Sequence, residues 1–354
     1  MPNVSVSQVR PGSKLLKDVL TRRNNVLMNK GTVLSLRELD ILQAFLVSKV
    51  TIEGEMAENE KTESQEEETP VQEQALSLYK EYDAMITLLK RTFVLARSGG
   101  TIPVLELRKQ LDLLLRQVNE YDILFFKSVK YSPEDFIYHN SVKSSLTAFI
   151  LGRWCGYEQK DLIPVALSGL VHDIGNIKID ETLLTKKSAL TRAEFEDIQR
   201  HTTAGYQILK NVTGLNEGIK LTALQHHERV DGSGYPQRLR GDQIHPYSKL
   251  IAVVDIYHAM TSERLFKKAM SPYLVLEELS NDSFGKLDPA IVQTFIHKAT
   301  QYQTGSVVKL SDGRIGEIVF SQREHPTRPW VNISGGIVNL AVERSVHVAE
   351  VIKR

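Results

Sequence analysis

The chain has 354 residues, 44 basic and 43 acidic, for a net charge of +1. That length holds two or three domains, and a charge so balanced gives no field to recruit a DNA or RNA polymer or an acidic membrane surface. A single cysteine, Cys155, excludes an internal disulfide and fits a reducing cytoplasm. Residues 1–10 lack an apolar signal core, and no apolar run is long enough to span a bilayer, so a cytoplasmic chain without membrane insertion is expected.

Residues 1–53 have the pattern of a small α/β module. Val4-Ser5-Val6 alternates as a strand does, Pro11-Gly12 signals a turn, and Val26-Leu27-Met28 is a short apolar run ending at Asn29-Lys30-Gly31. Ser35 with Glu38 forms a capping box ahead of Leu36, Leu39, Ile41, Leu42, Phe45 and Leu46, an amphipathic helix. No binding motif is visible there, which favours a structural or dimerising cap. Glu53 to Glu73 carries nine Glu and one Lys and no aromatic residue. Such a composition cannot bury enough apolar surface to offset its ordering entropy, so residues 54–76 are expected to form a disordered, self-repelling linker.

Residues 77–130 should be a helical hairpin. Leu78 to Ala96 has helical spacing and is stopped by Ser98-Gly99-Gly100; Pro103 starts a second helix with Val104, Leu107, Leu111, Leu114, Leu115, Val118 and Phe125 along one face. Helices of this kind pack on the nearest core, here an extension of the segment that follows.

Residues 131–303 run helix after helix. Leu162 to Val171 is nearly all apolar, a buried central helix that delivers His172 and Asp173 at its end. Thr191 and Glu194 form a capping box for a helix carrying Ile198 and His201 on one face. Ile219 to His227 ends in a His pair, Lys249 to Met260 carries Asp255, and Ser271-Pro272 and Asp288-Pro289 open two more helices. From residue 304 short strands take over: Val307 to Leu310, a turn at Ser311-Asp312-Gly313, Ile315 to Phe320, Trp330 to Ile333, and Val338 to Leu340 after Gly335-Gly336, a pattern that predicts a small antiparallel barrel. Basic residues there are too scattered for nucleic acid, so packing or dimerisation is its expected role.

The chemistry is concentrated between His139 and His258, which hold seven of the ten histidines. The order is His139, His172-Asp173, His201, His226-His227-Glu228, then Asp231-Gly232-Ser233-Gly234-Tyr235-Pro236, then Asp255. Neutral imidazole with carboxylate suits Fe, Mn, Zn or Ni. Five His and two Asp are too many ligands for one closed tetrahedral zinc. They point to two or more ions a few Å apart, the arrangement that displaces groups at phosphorus.

This ordered set resembles the HD-GYP family, a branch of the HD-domain metal-dependent phosphohydrolases, over roughly residues 130–300. The resemblance implies a mainly α fold with a helical catalytic bundle, activity as a bacterial cyclic-di-GMP phosphodiesterase, and two or three divalent ions, Fe or Mn. It implies His139, His172, Asp173, His201, His226, His227 and Asp255 as metal ligands, with Asp173 bridging. Asp135, one turn before His139, stands where three-metal relatives carry Glu and is a further candidate ligand. Asp173, His172 and Tyr235 are the expected catalytic residues. Gly232 and Gly234 let backbone approach a ligand closely, and Gly234, Tyr235 and Pro236 are expected at the substrate. Arg264 and Lys267 match family positions that contact substrate phosphate, and Asn176 occupies another such position. A homodimer and signalling protein partners are compatible with the family.

Three departures stand out. The family has Lys after His-Asp-x-Gly where this chain has Asn176, a neutral amide in place of an ammonium. His258 stands where a second Asp is usual, and the usual Pro is absent at Ile179-Asp180. All the metal-ligand positions remain, which implies a working, retuned enzyme. The rivals are a metal-bound sensor that keeps the dinucleotide intact, and a phosphodiesterase for cyclic GMP-AMP.

Overall fold

The computed structural model describes residues 3–6, 9–20, 26–45, 47, 49–53, 70–126, 131–186, 188–263, 268–282, 285–301 and 303–353. In chain order these form β1 (Asn3–Ser5), β2 (Val19–Leu20), β3 (Val26–Met28), α1 (Leu36–Ala44) and β4 (Lys49–Thr51), then α2 (Pro70–Arg97), α3 (Val104–Arg116), α4 (Phe136–Trp154), α5 (Gln159–Val171), α6 (Glu181–Leu184), α7 (Arg192–Leu209), α8 (Glu217–Gln225), α9 (Pro246–Thr261), α10 (Pro272–Asp282) and α11 (Pro289–Thr300), and finally β5 (Val307–Leu310), β6 (Ile315–Phe320), β7 (Trp330–Ile333), β8 (Gly336–Asn339) and β9 (Val348–Lys353). They divide into two compact units, Glu68–Ala299 and a second assembled from Met1–Glu67 with Thr300–Arg354.

The unit Glu68–Ala299 is helical. Its core runs from Leu78, Met85 and Leu89 of α2 through Leu107, Leu111 and Leu114 of α3 to Val142 and Leu146 of α4 and Leu167 and Leu170 of α5, all buried. The expected hairpin is therefore part of this bundle, with no separate core. α2 begins at Pro70, so residues 70–76, expected in the linker, are helical; Pro at a first helical position loses nothing, because its N–H would have no intrahelical acceptor. Residues 54–69 of the expected linker lie outside the described residues. α7 opens on the capping box expected from sequence, with the Thr191 side chain accepting from the Glu194 N–H and Glu194 accepting from the Thr191 N–H. No helix among the described residues is long and apolar enough to cross a membrane.

The other unit joins both ends of the chain. β1 pairs with β4 and β2 with β3, each pair antiparallel. Leu15, Leu27, Leu34, Leu42 and Val50 are buried in one core with Val307, and Ile315 packs against it. The segments before 54 and after 303, expected as two modules, thus share their apolar faces. The C-terminal sheet is open, in correction of the expected barrel: its order is β8-β7-β6-β5-β9, with β8 and β9 as edges. β9 pairs with β5 from Leu310↔Val348 to Val307↔Lys353 and was not expected from sequence.

Candidate metal centre

Local helix geometry aims the histidines. His172 follows α5, and its Nδ1 lies 2.8 Å from the Gly169 carbonyl. His201 Nδ1 lies 2.7 Å from the Ile198 carbonyl, and His226 Nδ1 3.0 Å from the Thr222 carbonyl. Each ring turns back one helical turn, the direction helical side chains favour. A carbonyl only accepts, so every one of these Nδ1 atoms carries a hydrogen, and Nε2 is the nitrogen left to face the centre.

Those Nε2 atoms converge. His201 Nε2 is 3.2 Å from His226 Nε2. Asp173 stands between two groups of ligand atoms: its Oδ1 lies 3.4 Å from His201 Nε2 and 3.7 Å from His226 Nε2, while its Oδ2 lies 3.4 Å from His172 Nε2. His172 Nε2 is also 3.5 Å from Asp255 Oδ1. The ligand atoms of Asp173, His201, His226 and His227 lie within 4.8 Å of one another, as do those of His172, Asp173 and Asp255. Asp173 belongs to both sets.

The electrostatics favour a cation here. Burial works against charge on Asp173, but the His172, His226 and His201 rings outweigh it and hold the carboxyl well below its usual range. Burial likewise opposes charge on Asp255, and the His172 ring outweighs it. Burial lowers His172, yet the Asp173 and Asp255 carboxylates prevail and push it up to about 9. His201 and His227 go the other way, lowered by burial first, so they stay neutral near pH 7. His172 Nε2 is nevertheless fully buried with no hydrogen-bond partner. Three converging Nε2 atoms, that of His172 able to exchange its proton for a metal, and two ionised carboxylates make a donor set that fits divalent transition ions, each of these imidazoles fixed through its other nitrogen as metal-binding histidines are.

Close packing sets the spacing. A Cβ on Gly175 would lie 1.8 Å from the His201 carbonyl oxygen, so only glycine lets the turn after Asp173 press onto α7. A Cβ on Gly234 would lie 2.5 Å from the His227 carbonyl oxygen, which brings Tyr235 against the His pair. The Tyr235 ring stacks on His227 with centroids 4.7 Å apart, and the Tyr235–Pro236 bond is cis. Burial raises the Tyr235 hydroxyl, which stays a donor.

Other expected residues fall elsewhere. His139 is in neither ligand set. Its Nδ1 is 3.0 Å from the Tyr82 hydroxyl of α2, and its ring stacks on Tyr131. Burial lowers it to about 4. Asp135 is in neither set and pairs with Lys90 at 2.6 Å. Asn176 Nδ2 donates to the Asp173 carbonyl at 3.1 Å. His258 Nε2 lies 2.7 Å from Thr147 Oγ1, buried between α4 and α9. Arg264 and Lys267 lie outside the described residues.

Two contributors were not singled out from sequence. Asn140 Nδ2 donates to Asp255 Oδ1 at 2.8 Å. Glu228, 2% exposed, accepts the Gln237 N–H at 2.7 Å and the Leu239 N–H at 3.0 Å, clamping the Gly-Tyr-Pro loop. Their sequence signal is slight, a polar residue beside a histidine in each case.

Residues 130–291 match the family model described as HD domain. The chain is 28% identical over 239 residues to a cyclic di-GMP phosphodiesterase of Pseudomonas aeruginosa, covering 67% of this chain and 58% of the relative. It is 29% identical over 210 residues to a cyclic di-GMP phosphodiesterase of Borreliella burgdorferi, covering 59% and 55%. It is 30% identical over 187 residues to 3'3'-cGAMP-specific phosphodiesterase 1 of Vibrio cholerae, covering 52% and 43%. A solved HDG"Y"P protein from Bdellovibrio bacteriovorus aligns with TM-score 0.46 at 16% identity, covering 83% of this chain and 97% of that one. The chain spans only about half the length of the curated relatives it matches. Within the segment that matches the HD-domain model, the Asp231–Pro236 loop follows the His pair, so the chain is similar there to HD-GYP proteins.

Proposed function

We propose that the HD domain hydrolyses cyclic-di-GMP to linear pGpG at a centre of two or three Fe or Mn ions. The observation that carries this reading is the division of Asp173: one oxygen faces His201 and His226, the other faces His172 beside Asp255. A carboxylate set between two groups of imidazoles suits a bridge between two ions. His201, His226 and His227 with Asp173 would hold one ion, and His172, Asp255 and Asp173 the other. Bound there, the ions would neutralise phosphate oxygens and acidify a water.

The rest falls to the chain itself. His201 and His227, kept neutral by burial, offer lone pairs near pH 7. Asn140 fixes Asp255, and Asn176 holds the backbone of Asp173. Tyr235, protonated and stacked on His227, presents a ring and a donor beside the ions. The likeness to a 3'3'-cGAMP-specific enzyme makes cyclic GMP-AMP the second substrate to try. Anaerobic incubation of iron- or manganese-loaded protein with cyclic-di-GMP should yield pGpG. Binding without pGpG at high enzyme and long times would replace this reading with a sensor.

A further inference from the structure

We infer that Arg238 reads a guanine of the substrate from a cavity beside Tyr235; this rests on the cyclic-dinucleotide reading above. The cavity, about 400 Å³, is lined by Tyr235 and Arg238 of the loop and by Glu196, Gln199 and Arg200 of α7. Tyr235 joins it to the metal centre, because the same ring stacks on His227. A dinucleotide with its phosphate at the ions therefore has room for a base one ring further out.

The charges in the cavity single out Arg238. Glu196 is engaged by Arg192 at 3.0 Å, and Arg200 by Asp197 at 3.0 Å. Arg238 is exposed and forms no hydrogen bond or ion pair with any described residue. Its backbone sits at φ 56, a region that residues with a Cβ avoid. The cause is local. Glu228 binds the N–H groups of Gln237 and Leu239, one on each side, and fixes the peptides that flank Arg238. Strained residues held by their surroundings cluster at ligand sites. A guanidinium forks onto the O6 and N7 acceptors of guanine, whereas adenine offers N7 beside an amino donor.

The test compares native protein, Arg238→Gly and Arg238→Lys on cyclic-di-GMP, 3'3'-cGAMP, cyclic-di-AMP and bis(p-nitrophenyl) phosphate. Glycine is at ease at this φ, so Arg238→Gly should melt no lower than native. It should lose about tenfold in kcat/KM on cyclic-di-GMP, with no loss on cyclic-di-AMP or the nitrophenyl ester. Arg238→Lys should not recover guanine preference, since it lacks the fork. Equal losses on all dinucleotides, no loss on cyclic-di-GMP, or full rescue by Lys would overturn the inference. If native protein turns over no dinucleotide, the phosphodiesterase reading fails separately, and binding decides here: Arg238→Gly must weaken cyclic-di-GMP about tenfold and spare cyclic-di-AMP, and any other binding result, including none by native protein, overturns it.

Discussion

His201 Nε2 faces His226 Nε2 at 3.2 Å, and both rings donate through Nδ1 to carbonyls of their own helices. Two neutral rings in that arrangement would set lone pair against lone pair. The fold holds them together because α7 and α8 pack against each other and fix both rings. A bound cation would accept both nitrogens as ligands, so chelation should lower Tm and re-addition of Fe or Mn should restore it, measured by anaerobic calorimetry. Insensitivity of Tm to chelation of fully loaded protein would count against ligation.

Asn140→Ala should weaken the centre without emptying the core. The amide donates to Asp255 Oδ1, and loss of a group that orients a ligand typically lowers metal affinity or activity about 10–100-fold. Metal titration of the purified variant checks this. Unchanged affinity with unchanged turnover would show that Asp255 is held by other contacts.

The metal-free protein should have a stability maximum in pH. His172 is pushed up to about 9 in the fold, against about 6.5 unfolded. Its contribution is thus fully present below pH ~6.5 and is lost as pH rises through about 9, roughly 3 kcal/mol in all. His201 and His227 are lowered, so they stay neutral above pH ~6.5 and oppose folding only as pH falls below it. Stability of chelated protein should peak near pH ~6.5, whereas bound metal replaces the His172 proton and flattens the alkaline side. Denaturant unfolding from pH 5 to 10 tests it; a chelated protein equally stable at pH 7 and pH 10 would contradict it.

Asn176→Lys should raise kcat on cyclic-di-GMP. An ammonium near a transferring phosphate is worth about 1.5–3 kcal/mol, on the order of tenfold or more in rate. The native amide is spent on the Asp173 carbonyl, so Asn176→Ala serves as the control for losing that bond. A rise in kcat with Lys and none with Ala is expected; a change confined to KM would mean ground-state binding only.

The His/Asp cluster was legible because its residues are chemically distinctive and lie at ends or on faces of strongly periodic helices. His172-Asp173 after the apolar run of α5 and His201 behind the Thr191 capping box are examples. Asn140 and Glu228 were not, since each acts on a group that only tertiary packing brings near: α9 for Asn140, the loop after the His pair for Glu228. The same limit applies to the terminal modules. Strand periodicity shows an apolar face on each, but not that Val307 completes a core with Leu15 and Leu42. Nor does it show that β9 pairs with β5 and leaves the sheet open. Through its Nδ1, His139 meets Tyr82 of α2, a helix whose place in the bundle periodicity alone does not give.

We propose that Asp173 joins two ion sites. Elemental analysis of anaerobically purified, reconstituted protein, beside His227→Ala, tests it most directly. Two or more Fe or Mn ions per chain are expected, with metal content and pGpG formation falling together in His227→Ala. One ion or fewer per chain after reconstitution would contradict a shared centre.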